Sequence, residues 1–254
     1  MQIFLYTIIF IMGCFFGSFC TLAVHRIPKR EDILIKHSYC PNCNHKLGFL
    51  DLFPLFSYIF LGGKCRYCKS KIRPRYFVIE LCLGSAFLLL AVSLNINIYN
   101  LNIMKLLSYF IYATILVIIA GIDRENTKIN KDVLIFGFSL EFIYIIYQCT
   151  LKNVDVYKYV IYLPIVIMLL IISIISLKKK MKEEYFIQIL FLSLFMIIFR
   201  GGYTYILSVI LTLIAIAFYK IINKKVQKLP IGFYLCVSNL IIVIATNFIC
   251  NYIM

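Results

Sequence analysis

Charge is what this sequence has least of. Only 15% of its 254 residues are charged, and just 11 are acidic. A soluble domain carries about 25% charged residues, so too few polar groups are present to cover a water-exposed surface. A soluble enzyme is excluded. A hydrophobic content of 63% excludes disorder as well. The length excludes a small scaffold held only by disulfides, despite ten cysteines. No glycine-rich nucleotide loop, internal repeat or low-complexity linker is present. No pair of interrupted apolar segments marks a transporter-like midplane site. The first apolar run lacks a basic leading region and is too long in its apolar part, so it is expected to be a span and not a signal peptide.

What is present is a series of long apolar runs, near 3–24, 77–94, 106–122, 133–150, 159–177, 185–199, 203–222 and 231–252. A span needs about 20 apolar residues, and a bilayer core without water requires helix in each. The expectation is an all-α polytopic membrane protein with about eight transmembrane helices. The run at 185–199 is short for a span.

Basic residues fall on one side of this pattern. All but Lys105, Lys152, Lys158 and Arg200 of the 26 Lys and Arg lie in 25–76, 123–132, 178–184 and 220–230. The positive-inside rule makes those segments cytoplasmic and, with eight spans, puts both termini outside. The net charge of +15 is then a topological signal beside an anionic leaflet, and no nucleic-acid partner is expected.

Four of the cysteines are grouped. Cys40, Cys43, Cys65 and Cys68 form C-P-N-C and C-R-Y-C, with 21 residues between the two pairs. Two CxxC turns supply four thiolates, the donor set of a closed tetrahedral zinc site. A reducing cytoplasmic loop disfavours the alternatives, disulfides or free thiols. Four sulfurs leave no open position for water, so the zinc is structural. It would fold a loop of little core between the first two spans. His37 and His45 are read as solvated neighbours. The other six cysteines are read as small hydrophobes.

With so few acids, each can be weighed. Asp51 could cap a local turn. Glu80 lies about one turn inside its apolar run, either a functional group or the partner of Arg73 or Arg75. Glu141 lies deeper and has no account. Asp123 ends the third run in A-G-I-D-R-E-N-T-K-I-N-K-D, which delivers a carboxylate to the cytoplasmic interface. On its own the simpler reading is a polar helix end, which such positions often carry. The next cytoplasmic segment, K-K-K-M-K-E-E-Y-F, supplies Glu183 and Glu184 on the same side, whereas Asp155 lies across the bilayer. Two carboxyls sharing one proton can activate water against a peptide carbonyl.

These strings resemble the bacterial type IV prepilin peptidases, membrane aspartyl leader peptidases that are also N-methyltransferases. The resemblance runs from G-S-F-C-T-L-A-V-H-R-I-P (17–28) through C-P-N-C-N-H-K-L and D-L-F-P-L-F-S-Y to G-K-C-R-Y-C-K-S-K-I-R-P-R-Y-F-V-I-E-L (63–81). Asp123 stands where the family has its first catalytic aspartate, with Asn130 in place of a proline and Asp132 one position beyond the trailing acid. The string L-P-I-G-F-Y-L (229–235) is similar to the entry of the family's last helix. The family's second aspartate, in Gly-x-Gly-Asp-x-Lys, is missing: no glycine lies between Gly137 and Gly201, and no aspartate follows Asp155. Glu184, or alternatively Glu183, occupies its approximate place.

The resemblance implies an N-terminal domain, 1–98, with two spans and the zinc loop, and a C-terminal membrane peptidase domain, 99–254. It implies a multi-pass protein of the bacterial cytoplasmic membrane. Its substrates would be type IV pilin-like or pseudopilin precursors, cut at the basic leader at the cytoplasmic face. S-adenosylmethionine would be the methyl donor if the second activity is retained. The alternative is a degenerate homologue that binds or scaffolds such precursors without cutting them.

Overall fold

The computed structural model describes residues 1–33, 37–97, 99, 102–151, 184–223 and 229–252. Among them the protein is all-helical. The α-helices are α1 (Gln2–Arg26), α2 (Phe56–Phe60), α3 (Arg75–Ser93), α4 (Ile103–Asn126), α5 (Lys131–Thr150), α6 (Glu184–Arg200), α7 (Gly202–Ile222) and α8 (Ile231–Tyr252). Six are long and apolar enough to cross a membrane: α1 (continued to Lys29), α3, α4, α5, α7 and α8. The run at 185–199 forms α6, a shorter apolar helix. The run at 159–177 lies outside the described residues.

Two compact units divide the chain, Met1–Leu106 and Leu107–Met254. The first is built on α1 against α3, and glycine sets how closely they approach. A Cβ at Gly17 would fall 2.6 Å from the Glu80 Cα, and one at Gly13 would fall 2.8 Å from the Gly84 Cα. Gly13 and Gly17 are one helical turn apart, the spacing that lets two membrane helices touch backbone to backbone. At the far end, the Gln2 Nε2 and Tyr6 hydroxyl donate to the Ile96 carbonyl at 2.8 and 3.2 Å, closing the pair.

In the second unit, polar contacts inside the helices fix the register. The Tyr112 hydroxyl of α4 donates to the Asn239 Oδ1 of α8 at 2.7 Å, and the Asn239 Nδ2 donates to the Ser208 Oγ of α7 at 3.3 Å. Asn130 caps α5, its Oδ1 accepting from the Asp132 and Val133 N–H groups. The turn before α5 is held by the buried Gln188 of α6, whose Oε1 accepts from the Ile129 N–H at 2.8 Å. Asn130 therefore supplies a helix cap.

Glu141, unexplained by the sequence, is partnered. Its Oε1 lies 3.2 Å from the Arg200 Nη2, and its Oε2 accepts from the Ser108 hydroxyl at 2.9 Å. The same Nη2 reaches the Ser108 carbonyl at 3.0 Å. The guanidinium lies over the rings of Tyr109 and Tyr112, 4.1 and 4.4 Å from their centroids. Both charged side chains are shielded, which an apolar helix bundle tolerates only when they are paired and hydrogen-bonded.

Candidate functional site

Two constellations carry chemistry, one in each unit. The first is the cysteine cluster. The ligand atoms of Cys40, Cys43, Cys65 and Cys68 all lie within 4.8 Å of one another, and the Cys40 and Cys68 Sγ atoms are 3.8 Å apart. A Zn–S bond of about 2.3 Å gives a tetrahedral edge of about 3.8 Å, so the four sulfurs fit a zinc ion.

The two knuckles share one conformation. The Cys40 N–H donates to the His45 carbonyl and the Asn44 N–H to the Cys40 carbonyl; the Cys65 N–H donates to the Ser70 carbonyl and the Lys69 N–H to the Cys65 carbonyl. Each turn is closed by an isolated antiparallel bridge, Tyr39 with Lys46 and Lys64 with Lys71. Asn44 and Lys69 hold the matching left-handed positions, φ 55° and 60°.

Burial pushes the Cys40 thiol up, but the Cys43 and Asn42 N–H groups and the neighbouring thiols outweigh it and pull it down to about 6. The His45 N–H pulls the Cys43 thiol down, yet partial desolvation and the Cys68 and Cys40 sulfurs raise it to about 11. Cys68 is lowered as well, chiefly by hydrogen bonds from Ser70, so Cys43 is the thiol that its neighbouring sulfurs hold protonated, a repulsion that a divalent cation removes. Asp51 ties the second knuckle down. Its carboxylate accepts from the Arg66 Nε at 2.6 Å, the Tyr67 hydroxyl at 3.2 Å and the Gly48 N–H at 3.1 Å. His45 stacks on Tyr67 with ring centroids 3.6 Å apart.

Glu80, which the sequence left between a functional group and the partner of Arg73 or Arg75, is bonded to backbone. Its Oε2 accepts from the Leu55 N–H at 2.9 Å, so this buried carboxyl holds the D-L-F-P-L-F segment against α3.

The second constellation surrounds Asp123, which is fully buried (0% exposed) at the end of α4. Its Oδ2 accepts from the Phe233 N–H of α8 at 2.8 Å and from the Tyr185 hydroxyl of α6 at 3.0 Å. The Tyr185 oxygen in turn accepts from the Gly232 N–H at 3.2 Å. Asp123 therefore sits on the first turn of α8, where unbonded N–H groups and the helix dipole favour a carboxylate. Among the described residues its Oδ1 has no hydrogen-bond partner. Gly232 makes the approach possible, since a Cβ there would fall 3.1 Å from the Oδ2. Arg124 lies over the Phe233 ring, 5.2 Å from its centroid.

Of the expected acids, Glu184 opens α6 and directly precedes Tyr185, while Glu183 lies outside the described residues. The first turn of α6 is thus brought to Asp123, and the contact is made by Tyr185. Sequence reasoning passed over Tyr185 and Gly232. The string L-P-I-G-F-Y-L was the available signal for Gly232; Tyr185 is one of 19 tyrosines and carried none.

The fold and these two sites define a polytopic helical membrane protein with a four-cysteine loop and a carboxylate buried at a helix end. Residues 11–94 match the family model for the bacterial peptidase A24 N-terminal domain. The chain is 31% identical over 124 residues to a prepilin leader peptidase/N-methyltransferase of Klebsiella pneumoniae, covering 46% of this chain and 52% of that protein. It is 38% identical over 87 residues to that of Vibrio cholerae, covering 31% and 34%. It is 31% identical over 130 residues to that of Bacillus subtilis, covering 51% and 50%. The chain spans between a third and about half the length of these relatives. No solved structure matches. These similarities support placing the chain in the type IV prepilin peptidase family; the family model ends before α4 and Asp123.

Proposed function

We propose that this protein is a membrane aspartyl peptidase that removes the basic leader of type IV pilin-like or pseudopilin precursors at the cytoplasmic face of the bacterial inner membrane. The observation that carries the reading is Asp123. It is buried, its Oδ2 is fixed by α6 and α8, and its Oδ1 has no partner among the described residues.

In this reading the second carboxyl comes from Glu184, with Glu183 as its alternative, at the start of the helix that already touches Asp123 through Tyr185. One carboxylate takes a proton from water as the oxygen attacks the scissile carbonyl. The other, protonated, gives its proton to the carbonyl oxygen; the tetrahedral diol then collapses as a hydroxyl proton returns to that carboxylate and the proton taken from water passes to the departing amine. The apolar segment after the cleavage point would lie along the spans. Cys40, Cys43, Cys65 and Cys68 would hold zinc as a folding element of the N-terminal unit. Methylation of the new N-terminus by S-adenosylmethionine is the family's second activity and is extended to this chain on its relatives' names alone.

A second reading is favoured by one feature, the missing Gly-x-Gly-Asp. The chain would then bind or scaffold precursors without cutting them. Co-expression with a pilin-like precursor, followed by intact mass measurement, separates the two. Peptidase activity yields a shortened product with the wild type and none with Asp123→Ala. A precursor that keeps its leader with the wild type overturns the enzymatic reading. A shortened product that survives Glu183→Ala combined with Glu184→Ala overturns the choice of partner acid.

A further inference from the structure

The segment between the two cysteine knuckles does not stay with them. Its middle, Phe53–Pro54–Leu55, turns inward. Pro54 and Leu55 are buried, the Phe53 ring packs edge-on against Phe15 of α1 with centroids 5.4 Å apart, and the Leu55 N–H is bonded to Glu80 of α3. Glu80 is five residues into α3 from Arg75 and faces Gly17 of α1. At a rise of about 1.5 Å per residue, that is about 7.5 Å below the level of Arg75 along two helices apolar enough to span a bilayer.

On either side of this inward turn the side chains point away from the protein. Phe49 is 71% exposed, Leu50 69%, Phe56 52%, Ile59 62% and Phe60 83%. Phe53, Phe56 and Phe60 continue the Phe15 contact outward as a file of rings, with centroids 5.5 and 6.3 Å apart. The backbone here closes on itself. The Ser57 N–H donates to the Phe53 carbonyl, Ile59 to Leu55, Leu61 to Ser57 and Gly63 to Tyr58. An apolar surrounding demands such closure, because it offers no water to a bare N–H. Five outward apolar side chains on twelve residues also make a contiguous patch, which a water-facing loop does not carry without a use. Arg73 and Arg75 lie at the start of α3, the level at which basic residues meet anionic headgroups.

We propose that residues 49–60 are a membrane-inserted hairpin. The segment enters the boundary between headgroups and acyl chains beside α1 and α3, with Phe56, Ile59 and Phe60 in lipid, Phe49 and Leu50 at the headgroup level beside Asp51, which stays bonded to Arg66 and Tyr67, and the cysteine knuckles left in water. An insertion of about 5–10 Å is the depth at which such interfacial elements bind. The occupant of the patch is the lipid bilayer. Leu55 and Glu80 hold the hairpin at its depth, which gives the carboxyl inside α3 a positioning role. The proposal does not depend on peptidase activity.

The chain contains no tryptophan, so a single substitution makes a unique fluorophore. Phe60→Trp and Ile59→Trp proteins, each reconstituted into phosphatidylcholine/phosphatidylglycerol vesicles, are to be compared with Asn42→Trp as the aqueous reference and Leu213→Trp, exposed on α7, as the lipid reference. Phosphatidylcholine brominated near the top of its acyl chains, and aqueous iodide, are the two quenchers. The hairpin predicts blue-shifted emission, strong quenching by the brominated lipid, and iodide quenching at least about threefold weaker than for Asn42→Trp. Iodide quenching equal to the aqueous reference at both positions overturns insertion. Shielding from both quenchers, with Leu213→Trp quenched by lipid, overturns the lipid as occupant and leaves protein covering the patch.

Discussion

At the scale of single residues, the arrangement around Asp123 separates two jobs within one carboxylate. The Oδ2 is committed to the Phe233 N–H and the Tyr185 hydroxyl, while the Oδ1 has no bond from the described residues. Tyr185→Phe removes one of the two bonds and leaves the ring in place. If Asp123 acts as proposed, the carboxylate loses its orientation, and a displacement of about 1 Å lowers leader cleavage by about a hundredfold. Densitometry of processed and unprocessed precursor measures it. An unchanged rate in Tyr185→Phe would show that α8 alone orients the acid. Gly232→Ala is expected to be at least as damaging, because the new methyl falls 3.1 Å from the Oδ2. What the sequence revealed at this scale is instructive. Asp123 was legible because a carboxylate ending an apolar run is rare among 11 acids. Tyr185 was not, because its significance lies in a hydroxyl meeting a residue 62 positions away, and a tyrosine beside an apolar run is ordinary.

At the scale of elements, the same contrast separates the two buried acids. Glu80 and Glu141 each looked like an unexplained cost in an apolar helix. Their partners, the Leu55 N–H and Arg200, are 25 and 59 residues away, and no periodicity reports such pairings. The Glu141–Arg200 pair joins α5 to α6 and, through Ser108, to α4. Arg200→Met leaves a carboxylate buried without its cation, and a loss of about 3–5 kcal/mol is expected. Adding Glu141→Leu should recover much of that loss, which thermal unfolding in detergent measures. Equal destabilisation in the single and double variants would mean that the pair is not coupled. The cysteine loop makes a prediction with a sign in pH. Metal competes with protons for the four thiols, and Cys40, lowered to about 6, is the first to ionise as pH rises. Metal binding therefore strengthens as pH rises and the thiols give up their protons, and it weakens on acidification. About one zinc per chain is expected at neutral pH. It should be released on acidification and absent from Cys40→Ser combined with Cys65→Ser. Metal analysis after dialysis decides it, and a metal content independent of both changes would refute a thiolate site. Here the sequence was sufficient, because CxxC spacing is local and each knuckle folds on its own few residues.

At the scale of the whole molecule, orientation rests on which helix ends carry the basic residues. Asp123 at the end of α4, the start of α6 and the start of α8 meet at one end of the second unit. That end also carries Arg124, Lys128 and Lys131 around the turn into α5, and Lys220 in the last turn of α7. Arg200 sits at the opposite end of α6, and by composition it counts against the asymmetry. Its guanidinium, however, is buried against Glu141, Tyr109 and Tyr112, so it offers no free charge to either side of a membrane. Removing it from the tally sharpens the bias, and the positive-inside rule then directs the Asp123 end to the cytoplasm. Alkaline phosphatase, which folds only outside the cytoplasm, is to be fused in the 123–132 turn and, separately, after residue 254. The turn fusion should be inactive and the C-terminal fusion active. Neutralising Arg200 together with Glu141 should leave that pattern unchanged, since the pair carries no net charge. Neutralising Arg124, Lys128 and Lys131 together should weaken it. The reverse pattern in the starting protein would place Asp123 at the outer face, out of reach of a leader that has not left the cytoplasm.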